Sequence, residues 1–199
     1  VRIDHVIGLF RLWWIPDGAP PTRGTYVRYN HDAMIGIVAL EAHRAGAVVV
    51  GEDLGTVEPW VRDYLRDRGV LGTSILWFEI DPGNRGPLAA EHWRELCLSS
   101  VPTHDLPPTP GYLDGDHVRL RSELGLLTRP AEDELADDRI QQEAWLAELR
   151  RVGLLGAEAD EEDVTLALYR YLGRTPSRLL ALALTDAGGE RRTQNQPGT

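Results

Sequence analysis

An α/β fold on a parallel sheet, of the (β/α)8 barrel type but with about half the strands of a closed barrel, is what the sequence predicts, on three observations. Short apolar, β-branched runs alternate with helix-length amphipathic segments, the mark of right-handed βαβ units. Ala47–Val50 is a continuous apolar run, as expected of a strand buried on both faces. Finally, Asp4, Glu52 and Asp105 each follow a short apolar run and sit at the mouth of an expected strand. Parallel barrels gather their chemistry at the C-terminal ends of strands, where the loops converge.

In chain order, Val1–Ile3 reads as the end of a buried strand, and His5 to about Asn30 as a long connection rich in Trp, Pro and Gly. Connections longer than ~12–15 residues in a compact domain are commonly functional. Helical spacing over His31–Ala45 places Met34, Ile35, Val38 and Leu40 on an apolar face, and Gly46 is a stop signal. After the strand at 47–50, Thr56 is expected to cap a helix reaching Arg68, with Gly69 just beyond it. Thr73–Ile80 is the next strand, then a short helical segment at Leu88–Trp93 and a strand at Leu96–Val101. Glu132–Arg151 and Glu161–Tyr171 read as amphipathic helices, the first with Leu135, Ile140, Trp145 and Leu149 apolar. They belong to an expected helical, acidic insertion over about residues 112–175. Ser177–Thr185 fits a strand or a helix; strand is favoured over its last half, because the polar Thr185–Gly189 follows as a strand-end loop would.

Charge narrows the function. The net charge is −10 over 199 residues, and residues 131–163 alone carry 12 acidic and 3 basic side chains, the profile of solvated helices. A chain of that balance lacks the Lys/Arg clusters that neutralise phosphates, so nucleic acid is not an expected partner. No apolar run approaches the ~18 residues of a membrane span. The lone Cys97 sits in an apolar stretch and is expected to be a buried structural thiol, which fits a reducing cytoplasm. The chain opens at Val1 inside a strand-like run, so it is expected to be a portion of a longer catalytic domain, inactive and prone to aggregate alone because strand edges stay open.

Carbohydrate chemistry leads among the readings of the acidic residues. Cleaving a glycosidic bond takes two carboxyl groups flanking it, and a third can position the sugar. Arg2 and Asp4, two apart on a strand, point to the same face. They form either an ordinary ion pair or a nucleophile kept ionised by its guanidinium neighbour. Glu52 follows a strand without polar residues, a setting in which a carboxyl holds a proton for general acid catalysis. Alternatively the Glu52-Asp53 pair caps the next helix; Asp53 is expected to point away from Glu52 and either cap or orient the loop. Trp13, Trp14 and Tyr26 are either core or platforms for sugar rings. His5, His104 and His117 show no spacing of a zinc site, and neither a Gly-x-Ser-x-Gly elbow nor a phosphate loop is present, so no metal or cofactor is expected.

Taken together, Arg2-Ile3-Asp4-His5, Trp14-Ile15-Pro16, Gly51-Glu52-Asp53-Leu54-Gly55, Thr103-His104-Asp105 and Gln194-Asn195-Gln196-Pro197-Gly198-Thr199 resemble the amylomaltase family, glycoside hydrolase family 77, across nearly the whole chain. His5 and Thr103 stand where the related α-amylases more typically have a small residue and Asn. The resemblance implies the second half of a (β/α)8 barrel and a retaining 4-α-glucanotransferase that disproportionates maltooligosaccharides or other α-1,4-glucans. It makes Asp4 the nucleophile, Glu52 the acid/base and Asp105 the residue that binds the distorted donor sugar. Arg2, His104, Trp14 and Asn195 would assist substrate binding. A retaining mechanism calls for the Asp4 and Glu52 carboxyls to lie ~5–5.5 Å apart. Val6-Ile7-Gly8 and Leu106-Pro107-Pro108-Thr109 depart from familiar members at sugar-contact positions. An α-glucan hydrolase with the same carboxylates, and a non-catalytic remnant, are the alternatives.

Overall fold

A computed structural model of the chain describes residues 1–196. The strands are β1 (Arg2–Ile3), β2 (Arg11–Trp14), β3 (Thr25–Arg28), β4 (Val50–Gly51), β5 (Gly72–Ile75), β6 (Cys97–Ser100) and β7 (Leu179–Leu180). The helices are α1 (His31–Ala45), α2 (Pro59–Arg66), α3 (Thr109–Asp114), α4 (Asp116–Glu123), α5 (Ala131–Arg151), α6 (Glu161–Leu172) and α7 (Leu184–Ala187). β1 pairs parallel with β4, β2 antiparallel with β3, and β5, β6 and β7 are neighbours in that order. The described residues divide into two compact units, 1–73 with 96–98 and 74–95 with 99–196.

In the first unit the parallel ladder continues from β4 through a bridge between Val50 and Leu71, and the Gly72 N–H then bonds the Leu96 carbonyl at 2.9 Å. Beneath it Val6, Phe10, Ile35, Val49, Val61, Leu65 and Val70 form a buried apolar cluster. α1 has the boundaries its spacing predicts. Asn30 Oδ1 accepts the Ala33 N–H at 3.2 Å, and Gly46 closes the helix in the left-handed region that glycine reaches without strain. Only Ile35 of its expected apolar face is buried; Met34 and Leu40 are exposed.

Several expectations are corrected here. The expected connection at 5–30 contains a hairpin, with Arg11 opposite Arg28 and Trp14 opposite Thr25. Its strands are four residues long and their sequence cues are masked by Pro16, Pro20 and Pro21. Of the run at 47–50 only Val49 and Val50 are buried, and the strand proper is Val50–Gly51. Thr56 does not cap α2. The residue before a proline is driven to extended backbone, so Glu58 (φ −65°, ψ 139°) is the N-cap and Pro59, whose missing N–H costs nothing there, begins the helix. The strand expected to reach Ile80 stops at Ile75 and gives way to a 3-10 turn at Leu76–Phe78.

The second unit is mostly helical. α5 and α6 bury Trp145, Leu149, Leu168, Tyr171 and Leu172, with the Trp145 and Tyr171 rings edge-on at 5.3 Å. Ile140, expected on the apolar face of α5, is 68% exposed. α6 opens with a capping box: Asp160 Oδ1 accepts the Asp163 N–H and Asp163 Oδ2 accepts the Asp160 N–H. In the segment 177–185 the strand is Leu179–Leu180, tied by the Arg178 N–H to Glu95 and the Ala181 N–H to Ser99, and its last part turns into α7 instead of extending. The polar stretch after it is not a strand-end loop: Asp186 is buried and accepts the Thr109 N–H, the Thr109 hydroxyl and the Tyr169 hydroxyl. Cys97 is fully buried, as expected.

Gly51 sits where β4 meets the core. A Cβ there would lie 3.0 Å from three carbons of the fully buried Val6. Gly51→Ala is therefore expected to destabilise the full-length protein by about 1–3 kcal/mol through overpacking. A thermal melt reads this as a lowered Tm; an unchanged Tm would show that Val6 has room to move.

Candidate active site

The parallel register sets the first group of site residues. Arg2 faces Val50 and Ile3 faces Gly51, so the next residues of the two strands, Asp4 and Glu52, leave the sheet side by side. The Glu52 N–H bonds the Ile3 carbonyl at 2.8 Å, and the Val6 N–H returns to the Glu52 carbonyl at 3.0 Å, closing the junction. Alternation along β1 also brings Arg2 and Asp4 to one face, with Nη1 2.7 Å from Oδ1.

Glu52 is 5% exposed although it sits at a strand mouth. Two backbone groups hold its carboxyl: the Leu54 N–H donates to Oε1 at 2.6 Å and the His5 N–H to Oε2 at 3.0 Å. His5 delivers that N–H from the left-handed region, φ 44° and ψ 56°. For a non-glycine residue this costs of order 1–3 kcal/mol and persists where the surroundings impose it. Its imidazole faces both carboxylates, Nδ1 3.5 Å from Glu52 Oε2 and Nε2 4.0 Å from Asp4 Oδ2. His5 thus stands beside both candidate carboxylates; in the sequence it reads only as part of the Arg2-Ile3-Asp4-His5 motif and as one of three histidines without metal-site spacing, and its left-handed backbone is not foreseen.

Asp53 points the other way, as expected, and is 1% exposed. Its Oδ1 accepts the Thr73 N–H at 2.9 Å and its Oδ2 meets Arg62 Nε at 3.3 Å. Neither Glu52 nor Asp53 caps α2. Trp14 stands on the hairpin, 56% exposed, with its indole N–H on the Tyr29 hydroxyl at 2.9 Å. Trp13 and Tyr26 stack edge-on beside it and are also about half exposed, so none of these three aromatic residues is core.

In the second unit, His104 and Asn195 both reach Asp105. His104 Nε2 lies 3.2 Å from Oδ2, and the Asn195 side-chain amide donates to Oδ1 across ninety residues of sequence. The Asp105 N–H bonds Thr103 Oγ1 at 3.3 Å, which makes the Thr103-His104-Asp105 segment a local turn. Residues 197–199 of the C-terminal motif lie outside the described residues. His117 pairs with Asp138 at 3.0 Å and stands apart from His104 in its partners. Among the described residues no group of three His, Cys, Asp or Glu has the arrangement of a metal site.

An α/β chain with parallel strands that end in carboxylates invites comparison with the enzymes of sugar transfer, and the comparisons agree. Residues 1–199 match the model of the family described as Glyco_hydro_77, 4-alpha-glucanotransferase. The 4-alpha-glucanotransferase of Mycobacterium tuberculosis (strain ATCC 25618 / H37Rv) is 79% identical over 204 residues, covering 100% of this chain and 28% of that protein. That of Haemophilus influenzae is 31% identical over 208 residues, again over 100% of this chain and 30% of the relative. The crystal structure of amylomaltase from Corynebacterium glutamicum is similar at a TM-score of 0.94 and 48% identity, over 100% of this chain and 30% of that one. Amylomaltase from Streptococcus agalactiae, solved with acarbose, shares the fold at a TM-score of 0.70 and 19% identity, over 100% of this chain and 35% of that one. The chain belongs to glycoside hydrolase family 77, the 4-alpha-glucanotransferase family. It spans under a third of the length of the curated relatives that it matches along its whole length.

Proposed function

We propose that this chain carries the catalytic carboxylates of a 4-alpha-glucanotransferase, and that the full-length protein moves segments of α-1,4-glucan between maltooligosaccharides with retention of configuration. The observation that carries the reading is the side-by-side exit of Asp4 and a buried Glu52 from two parallel strands, with Arg2 on Asp4. Asp4 attacks the anomeric carbon and the glycosidic C–O bond breaks, while Glu52 gives its proton to the leaving sugar oxygen. Glu52 then takes the proton of an acceptor hydroxyl as that oxygen displaces Asp4, and the original configuration is restored. Asp105, steadied by His104 and Asn195, binds hydroxyls of the distorted donor ring. The chain is read as the second half of a (β/α)8 barrel, with a helical insertion over about residues 112–175 and a cytoplasmic location. Among the described residues no helix is long and apolar enough to cross a membrane.

Maltotriose separates transfer from hydrolysis. The full-length protein is expected to turn it into glucose together with oligomers longer than the substrate. Shorter sugars alone would identify a hydrolase, and no conversion would leave the remnant reading. Trp14, exposed on the hairpin, offers a flat face for a sugar ring. Trp14→Ala is expected to raise the KM for maltotriose about fivefold with kcat little changed, the worth of about 1 kcal/mol of aromatic contact. Steady-state kinetics check this, and an unaltered KM would remove Trp14 from the binding surface.

A further inference from the structure

Arg62, on α2, meets the residue that follows Glu52 at two points. Its Nη2 donates to the Asp53 carbonyl at 3.0 Å, while its Nε meets the carboxylate of the same residue at 3.3 Å. Asp53 is held from the other side by the Thr73 N–H, and the Thr73 hydroxyl also bonds the Gly51 carbonyl at 3.3 Å. The residues flanking Glu52 are thus fixed on both sides, whereas the Glu52 carboxyl itself relies on the N–H groups of Leu54 and His5.

The link is the planarity of one peptide. The Asp53 carbonyl and the Leu54 N–H belong to the same rigid unit, pointing in opposite directions, and neither can rotate without the other. The grip of Arg62 on that carbonyl therefore sets the direction of the N–H that meets Glu52 Oε1 at 2.6 Å. We infer that Arg62 and Asp53 form a clamp that aims the Glu52 carboxyl through the 53–54 peptide, and that both are positioning residues for the acid/base step. The planar guanidinium suits this, because its fork reaches a carbonyl and a carboxylate at once, as a point-like ammonium does not. The inference rests on the reading of Glu52 as the acid/base.

The test uses the full-length protein and two donors. Maltotriose needs its leaving oxygen protonated, whereas α-maltotriosyl fluoride releases fluoride without a proton. Arg62→Met is expected to lower kcat on maltotriose by about 10- to 100-fold with KM within about twofold, the size of a small misplacement of a catalytic group. The first-turnover release of fluoride should stay within about threefold of the parent, since general acid help is not called on in that step. Arg62→Lys should recover part of the loss. Asp53→Asn, which keeps an acceptor for the Thr73 N–H but drops the charge facing Arg62, should show the same split and serves if Arg62→Met melts early. Equal losses on both donors in these variants, or an undiminished kcat, would overturn the clamp. Glu52→Gln runs beside them: if it fails to discriminate between the donors, the acid/base reading of Glu52 falls, and the inference with it.

Discussion

Glu52→Gln in the full-length protein is expected to lower kcat for transfer between maltooligosaccharides by about 10³-fold, within the range that a positioned general acid supplies. Glutamine keeps the volume of a residue that is only 5% exposed, so the loss is chemical and not a matter of size. It keeps one acceptor oxygen, which suits one of the two N–H groups now converging on the carboxyl from Leu54 and His5. The amide nitrogen must then face the other N–H, donor against donor. Leaving a buried donor without its acceptor costs about 1–3 kcal/mol, so Tm should fall as well. The two effects separate by measurement: the melt reports the stranded N–H, and the donor comparison reports the missing proton. With α-maltotriosyl fluoride the variant should release fluoride in its first turnover and then stall, because no base activates the acceptor. Near-parental kcat on maltotriose would take Glu52 out of the mechanism.

How much of the fold and of the candidate site is legible in the sequence depends on which residues set the backbone. The strand-end carboxylates were legible because a β-branched run followed by an acidic residue is a local pattern, and the alternation that pairs Arg2 with Asp4 needs only two residues of strand. Helix α1 is legible to its last residue from its helical spacing and from Gly46, which without a side chain takes the left-handed backbone that closes a helix. The hairpin at 11–28 is not. Its strands are short, set two arginines opposite each other, and surround a stretch whose prolines read as loop. Asp186 reads as part of a polar loop in the sequence because its partners, Thr109 and Tyr169, come from distant sequence and only folding brings three donors to one carboxylate. The left-handed turn at His5 and the reach of Arg62 to Asp53 are likewise tertiary. Histidine does not announce a positive φ, and an arginine nine residues downstream on an amphipathic helix reads as a solvated side chain.

Asp4→Asn is the second large effect expected, and it should part company with Glu52→Gln in every readout but the maltotriose rate. An amide is a far poorer nucleophile than a carboxylate, so no bond to the anomeric carbon forms and neither donor is processed; the first-turnover release of fluoride should vanish as well. Stability should hardly change. The ion pair that Asp4 makes with Arg2 lies between side chains that are 57% and 36% exposed, and pairs so open to solvent contribute little to folding. The expected pattern is therefore a collapse of activity at an almost constant Tm, against the combined loss foreseen for Glu52→Gln. Mass spectrometry of the trapped protein completes the comparison. With α-maltotriosyl fluoride, Glu52→Gln should gain the mass of one maltotriosyl group on the peptide that contains Asp4, and Asp4→Asn should gain none. A glycosyl adduct on Asp4→Asn, or an adduct of Glu52→Gln mapped to another residue, would assign the nucleophile elsewhere. Because Asp4 and Glu52 leave adjacent strands in fixed register, such a result would also break the link between that register and the chemistry proposed for it.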